Sequence, residues 1–165
     1  MSLIITTYLE MRSSADLITA PVPPGLDIRE CGEKRFAFNR AMYYAVGTKW
    51  GWTDKYNWSD QQWKAYAESE RLRTWQAHYR GALAGYYELQ LSGTDVEIAY
   101  FGLNHPFIGR GLGGALLSHA IQSAWKWSGT RRVWVHTCTL DHPNALANYL
   151  ARGLRIYRTH REERG

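Results

Sequence analysis

The chain has few cysteines, few prolines and no long apolar run. Cys31 and Cys138 are its only cysteines. Two are too few for a disulfide framework, and no Cys/His cluster has the spacing of a metal site, so no metal is expected. Nowhere do about 18 apolar residues follow one another, and no basic stretch leads into an apolar run near the start. These absences predict a soluble, cytoplasmic chain without membrane contact. The formal charge is modest, +5. Its late arginines (Arg131, Arg132, Arg152, Arg155, Arg158, Arg161) suit either an anionic small ligand or a solvated basic face. They lie far from the tryptophan-rich stretch, so there is no basic stripe with interleaved aromatics and no nucleic-acid partner is expected.

Apolar and aromatic residues are abundant. Hydrophobic residues make up 45% and aromatics 14% of the 165 residues, enough for one domain spanning residues 1–165 with a proper core. "LIITTYLEM" alternates and reads as an edge strand, and "LDIREC" as a short strand. Glu33 to about Val46 is predicted to be helical. A second helix starts at the capping box of Ser59 and Gln62. "RTWQAHYR", "ALAGYYELQL" and "DVEIAYFGL" read as an antiparallel meander turning at Arg80-Gly81 and at Ser92-Gly93-Thr94. A helix over Gly111 to Trp127 follows, packing through Leu112, Leu116, Ala120, Ser123, Ala124 and Trp127. "RRVWVHTCT" reads as a buried strand. Asp141 is placed to cap a short helix ended by Gly153, and "LRIYRTH" as a last strand. The order implies an α/β (α+β) fold, with a mixed, mostly antiparallel sheet of about six to seven strands and helices on its faces.

The strongest local signal is "NHPFIGRGLGGALL", where Gly109, Gly111, Gly113 and Gly114 crowd the start of a helix. Glycine destabilises helices, so a compensating gain is implied. A helix N-terminus presents unpaired N–H groups and partial positive charge, and glycines let a phosphate reach that backbone. A tight strand-to-helix turn is the structural alternative for one glycine, but four favour an anion site. Gly109, Gly111 and Gly114 satisfy GxGxxG. However, the motif follows an antiparallel meander, no acid stands about 20 residues on, and too little chain remains for a doubly wound sheet. A P-loop fails for want of a Lys-Ser or Lys-Thr pair.

"VEIAYFGLNHPFIGRGLGGALL" resembles the acetyl-CoA motif of the GNAT superfamily of N-acetyltransferases, Gln/Arg-x-x-Gly-x-Gly/Ala, with Gly111 and Gly113 in the two small positions. "DHPNALANYLARGL" is similar to that family's later segment, with Tyr149 four residues before Gly153. The resemblance covers about Ala82 to Tyr157. Ile108 stands where the family has Gln or Arg, and His142 where many members have Asn. Arg110 and Asn144 are the residues that could replace those contacts.

The resemblance implies acetyl transfer from acetyl-CoA to a primary amine, by direct attack. Cofactor contacts fall to Ile108, Gly109, Arg110, Gly111, Leu112, Gly113, Gly114 and Asn144. Phe101 and Leu103 would pair with the pantetheine arm like an added strand, with the Phe101 N–H polarising the thioester carbonyl. An alkyl amine has a pKa of about 10 and must lose a proton to attack. Glu97 is the candidate base, or else a strand glutamate in a cross-strand pair; Glu88 is the second candidate. Tyr149 is the candidate acid to the sulfur. Cys138 reads as a core or pocket-lining thiol, and His136 and His119 as structural or surface residues. In "KWGWTDKYNW", Trp50, Trp52 and Tyr56, with Tyr43, form either a cation–π site for the amine with Asp54 as counter-charge, or a hydrophobic cluster under a loop. The acceptor is a small molecule or a protein, and a homodimer is left open. The competing reading is a non-catalytic CoA-binding or regulatory module of the same fold, favoured by Ile108 and His142.

Overall fold

The computed structural model describes residues 2–164. Its strands are β1 (Ser2–Met11), β2 (Leu26–Glu30), β3 (Leu72–Tyr79), β4 (Ala82–Ser92), β5 (Asp95–Leu103), β6 (Arg132–Cys138) and β7 (Arg155–Arg164), and its helices are α1 (Phe36–Gly47), α2 (Asp60–Ala67), α3 (Gly113–Lys126) and α4 (Ala145–Ala151). All seven strands join one sheet in the order β2-β3-β4-β5-β6-β1-β7. Every neighbouring pair is antiparallel except β5 with β6.

Local chemistry accounts for most boundaries. Arg80 and Gly81 both take positive φ, 52° and 84°, the two-residue turn whose twist matches that of the β3–β4 strands it joins. Ser59 and Gln62 make both bonds of the capping box at α2. Gly153, at φ 100°, follows α4 with a backbone only glycine adopts readily.

Two hydrophobic layers flank the sheet. On one face Leu116, Leu117, Ala120, Ile121 and Ala124 of α3, with Tyr149 of α4, pack on Leu9, Tyr87, Leu89, Val96, Ile98, Val133 and Val135. On the other, Met42 and Val46 of α1 pack with Tyr86 and Tyr100. Strand β4 is therefore covered on both sides and is buried without a break from Ala84 to Leu89.

Three boundaries and placements differ from the sequence reading. β1 is not an edge strand, because it lies between β6 and β7. Ile4 on one face and Thr7, Leu9 and Met11 on the other are buried, and the true edges are β2 and β7. β6 is buried on one face only, through Val133, Val135 and Thr137, while His136 is exposed. Asp141 does not cap α4, which starts after Asn144. Its carboxylate is already engaged by the Thr137 hydroxyl, the Cys138 N–H and Trp52 Nε1.

Glu88 is an unusual core residue, fully buried on the α1 side of β4. It accepts from Asn39 Nδ2 at 2.8 Å and from the Tyr66 hydroxyl at 2.6 Å. Burial outweighs these bonds and raises its carboxyl to about 6. An acid raised in the folded state is held protonated there, so it favours folding at low pH, and that contribution is lost as pH rises through about 6. We expect Glu88→Gln, which keeps an acceptor for Asn39, to melt close to wild type near pH 4, below the ordinary carboxylate value. Near pH 7.5 it should melt higher, by about 5 °C for about 2 kcal/mol. Thermal unfolding of both proteins across that range is the measurement.

Candidate functional site

β5 and β6 pair only at Asp95 with Arg132, Val96 with Val133 and Glu97 with Trp134. Beyond Glu97 they diverge, leaving the β5 edge from Ile98 to Leu103 unpaired toward β6. A bulge sets the side chains there. Tyr100 opposes Glu88 and Ile98 opposes Leu89, so Ala99 is the extra residue. As a result Phe101 and Leu103 join Ile98 on the α3 face, while Tyr100 packs on the α1 face. A cavity of about 870 Å³ fills the opening. Its walls come from β5, β6, the glycine turn before α3, the loop after α1 and the face of α4.

The glycine turn is built for backbone exposure. Gly109 and Gly111 have φ of 83° and 76°, and nothing lies within 4 Å of where a Cβ would stand on either. Gly113, at the first position of α3, meets only Asn148 Nδ2 at 3.7 Å. Gly114 has a different reason: a Cβ there would lie 2.9 Å from Arg152 and 3.0 Å from Ala20. The first three glycines thus leave the N-terminal amides of α3 open to the cavity, and the fourth is a packing residue.

Glu97 and Tyr149 face the same cavity. His136 Nε2 stands 3.6 Å from the Glu97 carboxylate. Burial raises the Glu97 carboxyl, with the charges of His136 and Lys55 opposing the rise. Tyr149 is 7% exposed and its ring lies 6.3 Å from that of Phe101. Burial, reinforced by the negative charge of Asp141, raises its hydroxyl and keeps it a proton donor.

The opposite wall is a hydrogen-bonded cluster. Asp54 accepts from Tyr43 at 2.9 Å, from Lys55 Nζ at 3.0 Å and from the Tyr100 hydroxyl. Burial works to raise its carboxyl, but Tyr100, Lys55 and Tyr43 together hold it below the usual carboxylate range. The Tyr43 hydroxyl also accepts from the Lys55 N–H, which fixes the loop on α1.

Of the residues expected from sequence, Glu97, Tyr149, Phe101, Leu103, Ile108, Gly109, Gly111, Leu112, Gly113, Gly114, Asn144, Trp50, Trp52 and Asp54 line the cavity. Tyr43, Tyr56, Arg110 and Glu88 do not line it. Tyr43 is buried behind Asp54. Tyr56 is 54% exposed because its ring packs outward on Tyr44. Arg110 is exposed, with its guanidinium over Phe107. Glu88 is sealed beneath Tyr66. Lys55, Tyr66, Tyr100 and His136 line the cavity without having been singled out as binding residues. For Tyr100 a signal existed: it adjoins Phe101 in the strand that carries Glu97. Among the described residues no group of three or more His, Cys, Asp or Glu could hold a metal ion, and no helix is long and apolar enough to cross a membrane.

The chain resembles solved structures over nearly its whole length. A GCN5-related N-acetyltransferase from Sphaerobacter thermophilus matches with a TM-score of 0.72 at 19% identity, over 97% of this chain and 51% of that one. A conserved protein of unknown function from Staphylococcus epidermidis gives 0.71 at 16%, over 97% and 60%. An aminoglycoside acetyltransferase from an uncultured soil metagenomic sample gives 0.63 at 18%, over 82% and 95%. This chain therefore spans 51% and 60% of the length of the first two, and at these identities the likeness speaks to fold. No curated protein matches this chain. The Acetyltransferase (GNAT) family model matches residues 36–154. That match takes in both helices of the α1 face, the meander, the glycine turn and Tyr149, and by it this chain belongs to the GNAT acetyltransferase family.

Proposed function

We propose that this single domain transfers an acetyl group from acetyl-CoA to a primary amine, within a complex that holds both at once. The observation that carries the reading is the divergence of β5 from β6 beside the glycine turn, which puts Glu97, Tyr149 and the α3 amides around one cavity. The donor set fits a diphosphate: open backbone N–H groups at a helix start, two of the preceding glycines left-handed and without neighbours. Ile108 adds no charge, so affinity rests on the backbone and the helix dipole. Gly109, Gly111, Gly113 and Gly114 would hold the phosphates, and the free edge at Phe101 and Leu103 the pantetheine arm, with Asn144 beside it.

Acetyl-CoA supplies an activated thioester. The chain's residues supply the rest. Glu97, with a raised carboxyl, accepts the amine's proton directly or through water. The Phe101 amide donates toward the carbonyl oxygen as charge builds there. Tyr149, buried and kept protonated, donates toward the sulfur.

The test is acetyl-CoA-dependent thiol release with a panel of primary amines, run beside a thermal-shift titration with CoA. We expect a melting temperature that rises with ligand by mass action, and turnover with at least one amine. Stabilisation by CoA without turnover on any amine would favour a binding module instead. No stabilisation by CoA would remove the reading.

A further inference from the structure

One cation already sits inside the cavity. Lys55 Nζ lies 4.7 Å from the Trp58 ring centre, 4.8 Å from Tyr66 and 4.9 Å from Tyr100. It donates to the Tyr100 hydroxyl at 2.9 Å and to Asp54 at 3.0 Å. Its side chain is 13% exposed, and among the described residues no other lysine lines the cavity. Lys49, Lys64 and Lys126 are exposed at the surface.

The placement matters because of where Tyr100 stands. It immediately precedes Phe101 on the free edge of β5, and Glu97 lies three residues before it on the same strand. A primary amine is thus hydrogen-bonded to the side-chain tip of a residue on the strand beside which the thioester would lie, in a cavity that also holds a carboxylate able to take a proton. We propose that Lys55 is a self-acetylation site: its ε-amine is the first acceptor this chain presents to its own acetyl-CoA. The inference rests on the acyl-transfer reading above. In the step, an Nζ–C bond forms as the C–S bond of the thioester breaks. One proton of the ammonium passes to Glu97 and a second ends on the departing thiolate.

Two effects oppose each other. The charged amine does not attack until it has lost a proton. Against this, a group held within the site acts at an effective concentration of ~10⁵ M. Proximity therefore favours this amine over the exposed lysines, which reach the site only from solution. Acetylation also removes the charge, leaving Asp54 with Tyr43 and Tyr100 as its remaining partners.

The experiment incubates the full chain with acetyl-CoA alone and follows intact mass and peptide maps, while thiol release with small alkyl amines is measured in parallel. We expect one acetyl group, on Lys55, forming at a rate independent of protein concentration and ~10²-fold faster than on Lys64 or Lys126. Lys55→Arg keeps a cation in the cage and should lose the adduct; if that variant does not fold, the wild-type peptide map decides alone. Adducts spread over the exposed lysines, or a rate that scales with protein concentration, overturn the proposal. So does an unmodified chain that acetylates free amines, an outcome that leaves the acyl-transfer reading standing. An unmodified chain that acetylates nothing overturns both.

Discussion

Replacing Glu97 with Gln is expected to lower kcat by ~10²–10⁴-fold while leaving KM for acetyl-CoA close to its original value. The carboxylate lines the cavity on the strand face opposite Ile98, so on the proposed reading it would meet the amine end of the reaction and not the phosphates. Its cross-strand partner on β4 is Gln90, and a neutral amide facing another amide is well tolerated. The fold should survive, as a melting curve would verify. The pH profile carries the mechanistic content. A base acts only when deprotonated, so kcat/KM of the wild type should rise with pH through the carboxyl's own pKa. Because burial raises that value, the acid limb should lie above the ordinary carboxylate range, and Glu97→Gln should abolish it. An equal, small loss in kcat and KM, with the limb unmoved, would return Glu97 to a purely structural part in the sheet.

Gly113→Val should weaken CoA binding by ~10²-fold or more with little change in melting temperature. Gly113 is the first residue of α3 and lines the cavity. Its Cβ would meet protein only at Asn148 Nδ2, 3.7 Å away, so valine fits the folded chain and improves helix propensity over glycine. Its methyl groups would occupy the space through which an anion reaches the helix amides. Hydrogen bonds to a charged group are worth about 1.5–3 kcal/mol each, and losing two gives the stated factor. Gly111→Val is a poorer probe, since its φ of 76° strains any β-branched residue whether or not a ligand binds there. Calorimetric titration with CoA measures the effect; unchanged affinity in folded Gly113→Val would mean that the phosphates do not lie against this turn.

Much of this was legible in the sequence because the signals were local. The Arg80-Gly81 turn, the Ser59–Gln62 box and the four glycines each declare themselves within a few residues. What stayed hidden depends on partners far along the chain. β1 alternates as an edge strand would, and only its pairing with both β6 and β7 makes it an interior one. Asp141 has the spacing of a helix cap, yet Thr137 and Trp52 compete for the same carboxylate. On the acceptor side the sequence offered Trp50, Trp52, Tyr43 and Tyr56. The Lys55 ammonium, which that reading did not single out, lies among Trp58, Tyr66 and Tyr100, which come from a loop, a helix and a strand. The bulge at Ala99 is equally silent in the sequence, and without it Tyr100 and Phe101 would exchange faces.

The position of β1 has a consequence for how the molecule comes into being. Ile4, Thr6 and Tyr8 of this strand wall the cavity, yet both of its neighbours are translated long after it. During synthesis β1 must wait, unpaired, while the meander and α3 assemble around a local nucleus, and it can dock only once β6 has emerged. Contacts of such sequence separation form slowly, so refolding should restore tryptophan burial in the meander before it restores the ability to capture the coenzyme. On the acyl-transfer reading, the coenzyme cavity would be complete only after β1 has paired with β6.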